Sequence, residues 1–106
     1  MKYFILTILT LFTFESAKSQ EVTGSVYGKV IDEFTNEPLI GANVIIIGSD
    51  LGAATNAEGE FSINNIPPNV YQVRASVIGY NNVTKTDISV MPGRPAIVNF
   101  ELTVTT

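Results

Sequence analysis

Ile66-Pro67-Pro68-Asn69-Val70-Tyr71-Gln72-Val73-Arg74-Ala75-Ser76-Val77 decides the fold class of this chain. From Val70 onward, Tyr71, Val73, Ala75 and Val77 alternate with Gln72, Arg74 and Ser76, the period of two expected of a strand with one buried face. The two prolines ahead of it cannot donate to a ladder, so they mark a turn between strands. The same pattern extends both ways. Residues 25–32 alternate, with Val26, Gly28 and Val30 on one face and Tyr27, Lys29 and Ile31 on the other. Residues 42–47 are the most hydrophobic stretch of the segment, with Ala42, Val44 and Ile46 inward. Residues 53–56 form a short strand, and residues 60–64 place Phe61 and Ile63 on one face. Further on, residues 83–90 are more polar and suit a sheet edge, and residues 96–103 turn Val98, Phe100 and Leu102 inward. Turn chemistry separates the runs, notably Thr35-Asn36-Glu37-Pro38, Ala57-Glu58-Gly59 and Gly79-Tyr80-Asn81-Asn82. Seven short runs at this spacing predict an all-β, seven-stranded sandwich. Val44, Phe61, Tyr71 and Phe100 are expected in one core.

Composition agrees. The 106 residues are 45% hydrophobic, rich in β-branched types, and only 15% charged, which suits pleated surfaces better than helices. One domain fits this length. The net charge of −4 disfavours nucleic acid and anionic membrane surfaces as partners. The chain contains no His, Cys or Trp. A Ser–His pair, a thiolate nucleophile and a disulfide are therefore excluded by inventory.

The first residues read as an address. Met1-Lys2 is a short positive start, residues 3–14 are an apolar run, and Ala17-Lys18-Ser19 offers the small residues of a cleavage site. This pattern predicts a signal peptide over residues 1–19, cut before Gln20. The apolar run is shorter than the roughly 20 residues a spanning helix needs, so no transmembrane segment is expected in the mature chain. Residues 20–26 are expected to lead into a domain over residues 27–103, with residues 104–106 as a tail.

Sites of chemistry are sparse. Glu58 and Glu60 flank a glycine turn, which suits solvated turn carboxylates better than an acid–base pair. Asn56-Ala57-Glu58-Gly59-Glu60 alternates oxygen-bearing side chains, but it is too short and too poor in carboxylates for a calcium loop. A hairpin in which Asn56 bonds its own backbone and Gly59 takes positive φ is expected there. Lys29 and Asn99 lie on strands where a crosslink is conceivable, but parity turns both toward water, away from the burial such chemistry requires. Tyr71 is expected in a tyrosine corner, its hydroxyl bonding backbone at the proline turn. Tyr27 and Tyr80 are the tyrosines expected at the surface. Tyr80, Asn81 and Asn82 form the candidate interaction loop, grouped with loops 48–52 and 92–95 at one end of the sandwich. No catalytic residue, cofactor or metal site is expected.

Read in order, Gly28-Lys29-Val30-Ile31-Asp32, Glu37-Pro38-Leu39-Ile40-Gly41-Ala42-Asn43-Val44, Gly52-Ala53-Ala54-Thr55-Asn56, Gly59-Glu60-Phe61, Ile66-Pro67-Pro68-Asn69-Val70-Tyr71 and Ile78-Gly79-Tyr80 resemble the carboxypeptidase regulatory-like domain. The resemblance implies a transthyretin-like or Ig-like Greek-key β-sandwich. It differs where the family usually has Gly, at Asn69, and often Asp, at Asn56; the turn at Asn69 is expected to survive because Asn tolerates the left-handed region. In exported bacterial proteins such a domain resembles the N-terminal extension of TonB-dependent outer-membrane receptors. The implied function is non-catalytic: a periplasmic or outer-membrane-associated spacer or docking module with a protein partner. The chain stops at Thr106, before any plug or barrel, so a truncated receptor product and a stand-alone module are both open. The second class of function is a secreted or periplasmic binding module for glycan or protein.

Overall fold

The computed structural model describes residues 22–105. The expected signal peptide and its cleavage site lie outside these residues. Strands form where the alternation predicts them: β1 (Gly24–Asp32), β2 (Asn43–Ile46), β3 (Gly52–Ala54), β4 (Glu60–Ile66), β5 (Asn69–Ser76), β6 (Val83–Val90), β7 (Ala96–Ile97) and β8 (Phe100–Leu102). One sheet runs β4–β1–β7, with β8 continuing beside β1; the other runs β3–β2–β5–β6. The pairings are antiparallel except β1 with β7 and β1 with β8, which are parallel.

The core lies between the two inner faces. Val26 and Val30 meet Val44, Ile46, Phe61, Ile63, Val73, Ala75, Phe100 and Leu102, all buried. Two aromatics anchor it, with the Phe61 and Phe100 rings 6.2 Å apart and tilted. Apolar burial of this kind stabilises by roughly 25 cal/mol per Å² removed from water. Tyr71 differs from the expectation. It is half-buried and packs against the core, while its hydroxyl donates to the Pro67 carbonyl oxygen at 2.6 Å. The tyrosine corner is formed, and holding that hydroxyl at the turn keeps the ring at the rim.

Three local departures have clear causes. First, β1 begins at Gly24, one residue before the expected run 25–32 and inside the expected lead-in 20–26, because Gly24 and Val26 already pair with β4. Second, the expected strand 96–103 is interrupted at Val98 and Asn99. The Val98 carbonyl leans over Gly28, where a Cβ would lie 1.7 Å from its oxygen. The ladder amide of Lys29 there donates to the Asn99 side-chain Oδ1 at 3.0 Å instead of to a backbone carbonyl. Third, register shifts interrupt the β1–β4 and β5–β6 pairs, and each bulge carries a left-handed residue, Asn65 at φ 61° and Asp87 at φ 59°. Asn69 is not left-handed; it opens β5, and its Oδ1 accepts the Val70 amide at 2.8 Å.

Edge strand β6 is polar as expected and is further protected. Lys85 sits above the Phe100 ring, its Nζ 5.9 Å from the centroid. An inward-leaning lysine and a bulge both oppose edge-to-edge pairing.

Because β1 and β8 run parallel, with Asp32 paired to Leu102, the chain enters the domain at one pole and leaves at the other. The N-terminal pole holds loops 47–51, 67–68 and 91–95. The C-terminal pole holds loops 33–42, 55–59 and 77–82 and residues 103–105. The three loops expected at one end are thus divided, with 79–82 opposite the other two. Strand direction causes this: β5 starts beside the end of β6 at Asn69–Val90 and finishes beside the start of β2 at Ser76–Asn43.

Candidate functional site

The C-terminal pole is organised by a carboxylate. Asp32 follows the inward parity of Val26 and Val30 and is only 7% exposed. A buried carboxylate needs partners, and three surround it. Its Oδ1 accepts the Phe34 and Thr35 amides at 2.8 and 3.0 Å, and its Oδ2 accepts the Tyr80 hydroxyl at 2.7 Å. The Tyr80 hydrogen bond is the main cause that holds the Asp32 carboxyl below its ordinary 3.8. The same bond, with desolvation, raises the Tyr80 hydroxyl above its ordinary 10.0.

The rest of the candidate loop is tied to the end of the domain. Asn81 donates its amide N–H to the Thr103 carbonyl at 2.8 Å and its Nδ2 to the Thr103 hydroxyl at 3.0 Å. Thr105 donates its backbone N–H to Gly79 at 3.0 Å, and Tyr80 bridges Val104. Residues 104 and 105 thus belong to the fold. Asn82 is exposed beside a hollow lined by Gly41, Ser76 and Ile78. Ile78 is the large hydrophobic residue exposed in this turn, at 97%.

Two neighbouring loops show the same use of polar groups. The Asn56 Oδ1 accepts the Glu58 and Glu60 amides at 3.0 and 2.9 Å, and Gly59 has φ 78°. That oxygen, which a cation would need, is engaged by its own hairpin. A Cβ at Gly59 would lie 2.7 Å from the Val30 carbonyl oxygen, so close packing also demands glycine there. The buried Thr55 hydroxyl donates to the Leu39 carbonyl and accepts the Ala42 amide at 2.8 Å. Among the described residues, no group of three or more Asp or Glu is placed to hold a metal ion. No described helix is long and apolar enough to cross a membrane.

The other side of β1 is different. Tyr27, 40% exposed, pairs laterally with Ser62 of β4 and Ile97 of β7. One step along, Lys29 pairs with Glu60. These outward residues line an open groove of about 610 Å³, together with Gly28 and Phe61 of the same sheet and Ala53, Ala54 and Asn56 at the edge of the other. Tyr27 and Tyr80 therefore form no common platform, because Tyr80 reaches the inward parity of β1 and Tyr27 stands on the outward one. Lys29 and Asn99 are both exposed and joined through the Lys29 backbone.

Sequence reasoning missed Asp32. Its signal was a carboxylate on the parity of Val26 and Val30, which calls for a partner from another loop.

Similar structures share this architecture at low identity. A chain of the type II cohesin–X–dockerin complex of Acetivibrio cellulolyticus matches with TM-score 0.63 and 20% identity, covering 73% of this chain and 52% of that one. The Bacillus anthracis TIE protein matches with TM-score 0.65 and 22% identity, over 79% of this chain and 17% of that one. The dioxygenase domain of a dioxygenase carbohydrate-binding protein fusion from Streptomyces sp. SirexAA-E matches with TM-score 0.60 and 20% identity, over 86% of both. The present chain spans about half the length of the cohesin–X–dockerin chain it matches. A fold shared with both a binding assembly and an enzyme does not choose between functions. No curated protein sequence matches the chain. Residues 25–103 match the family description carboxypeptidase regulatory-like domain, nearly the whole of the described sandwich. The chain belongs to the carboxypeptidase regulatory-like domain family.

Proposed function

We propose that this chain is an exported, non-catalytic spacer or docking module, the periplasmic N-terminal domain of a TonB-dependent outer-membrane receptor or a product derived from one. The observation that carries this reading is the parallel pairing of β1 with β8. It sends the chain in at one pole and out at the other, so the domain adds its own length to a polypeptide. Nine residues of β1 span roughly 30 Å at about 3.3 Å each. The leader-like start and the absence of His and Cys support export and a non-catalytic role. A second reading, a stand-alone module binding glycan or protein, is favoured by the uncovered outer face around Tyr27.

Fractionation and intact mass of the product expressed from its own locus test both. The receptor reading expects an envelope product that starts at Gln20 and carries further sequence after Thr106. A soluble periplasmic product ending at Thr106 would favour the second reading. A cytosolic product retaining Met1 would overturn export.

A further inference from the structure

The outer face of β4–β1–β7 carries a complete set of side chains that the fold does not use. Tyr27 is flanked by Ser62 and Ile97 in one cross-strand row, and Lys29 faces Glu60 in the next. Asn56 stands at the wall; its Oδ1 is held by two backbone amides, and its NH2 has no protein acceptor among the described residues. The groove of about 610 Å³ lies within the size range of small-ligand sites.

From this juxtaposition we propose that the Tyr27 face binds a neutral oligosaccharide. An exposed tyrosine offers an apolar ring with a polar tip, suited to the C–H face and rim hydroxyls of a sugar. The hydroxyl, ammonium, carboxylate and amide around it supply both donors and acceptors. Lys29 and Glu60 oppose each other, so the groove carries no net charge, and the acidic chain repels polyanions. A peptide added as a strand would need free backbone groups. The backbone of β1 beneath Tyr27 is paired on both sides, and the free edges of this sheet lie at β4 and β7, so recognition at Tyr27 itself falls to side chains. The inference deepens the binding-module reading and is independent of the receptor reading, which mass and fractionation decide.

The test is titration of the isotopically labelled chain with cellohexaose, maltohexaose, xylohexaose and mannohexaose, followed by amide chemical shifts. At least one sugar is expected to give saturable shifts at Gly28, Lys29 and Ser62, with Kd roughly 0.1–1 mM, as befits a single aromatic. Tyr27→Ala should weaken binding about tenfold or more, a loss of about 1.4 kcal/mol. Tyr27→Phe, which keeps the ring, should retain most of it. Should Tyr27→Ala fail to fold, Ser62→Arg, at an exposed position in the same row, is expected to block the groove equally. The proposal would be overturned by no saturable shift with any of the four sugars at about 10 mM, by shifts confined to residues 79–82, or by unchanged affinity in Tyr27→Ala or Ser62→Arg. Binding of extended peptides in place of all four sugars would do so too.

Discussion

The two faces of β1 are made from alternate residues of one nine-residue strand, and they have opposite fates. On the inner face Val26 and Val30 are fully buried, Gly28 lies against the Val98 carbonyl, and Asp32 holds three donors from two loops. On the outer face Tyr27 and Lys29 are exposed. The contrast separates residues that make the fold from residues free to act on something else. Tyr80 and Tyr27 illustrate it. Both are surface tyrosines in sequence, yet the Tyr80 hydroxyl is part of the inner-face network and the described residues offer no partner to that of Tyr27.

The contrast is broken most directly from the inner side. Phe100 pairs with Val30 and is fully buried against Phe61. Phe100→Ala should cost about 3–5 kcal/mol, enough to unfold a domain of this size. Denaturant titration measures it, and a loss below ~1 kcal/mol would mean that the last strand presents its other face. Gly28→Ala comes next. The added Cβ meets backbone, not a flexible side chain, so β7 and β8 must move away from β1. A cost of about 3 kcal/mol is expected, at the upper end for overpacking. Wild-type stability in that variant would show that Val98 yields freely.

A subtler break removes the Asp32–Tyr80 bond. Asp32 titrates below its usual value when folded, so its contribution is present above the unfolded pKa and is lost as pH falls through the folded one. Tyr80 titrates above its usual value, so its contribution is present below the unfolded pKa and is lost as pH rises through the folded one. Stability should therefore fall on both the acidic and the alkaline side. Tyr80→Phe should flatten both limbs. It removes the alkaline one and leaves part of the acidic one, because the Phe34 and Thr35 amides still bind Asp32. Melting temperatures of the two proteins across pH decide this; parallel curves would mean that the pair is not coupled.

What was legible in the sequence follows the same division. Alternation placed β1, β2, β4, β5 and β6 and the buried Val44, Phe61 and Phe100, because each strand shows one face to the core and one to water. The hairpin at Asn56 and Gly59 was legible because its chemistry is local. The interruption at Val98 and Asn99 was not, since it arises from a carbonyl approaching a glycine some seventy positions away. The bulge residues Asn65 and Asp87 sit within runs that alternate well enough to hide them. At the candidate loop, turn chemistry revealed a loop at Tyr80 but not the Asp32 carboxylate waiting beneath it.

The smallest effect is expected on the outer face, and it sharpens the comparison most. Tyr27→Ala removes a half-exposed ring whose cross-strand partners are Ser62 and Ile97, and leaves the backbone ladder intact. Cross-strand pairs of this kind contribute roughly 0.2–1 kcal/mol. The loss of stability should therefore stay below about 1 kcal/mol, several-fold less than at Phe100, which pairs with Val30 further along β1. The same denaturant titration applies, with the slope m unchanged because the surface exposed on unfolding scarcely alters. A loss above about 2 kcal/mol would show that Tyr27 supports the sheet. The outer face would then be part of the fold, and the division between the two sides of β1 would fail.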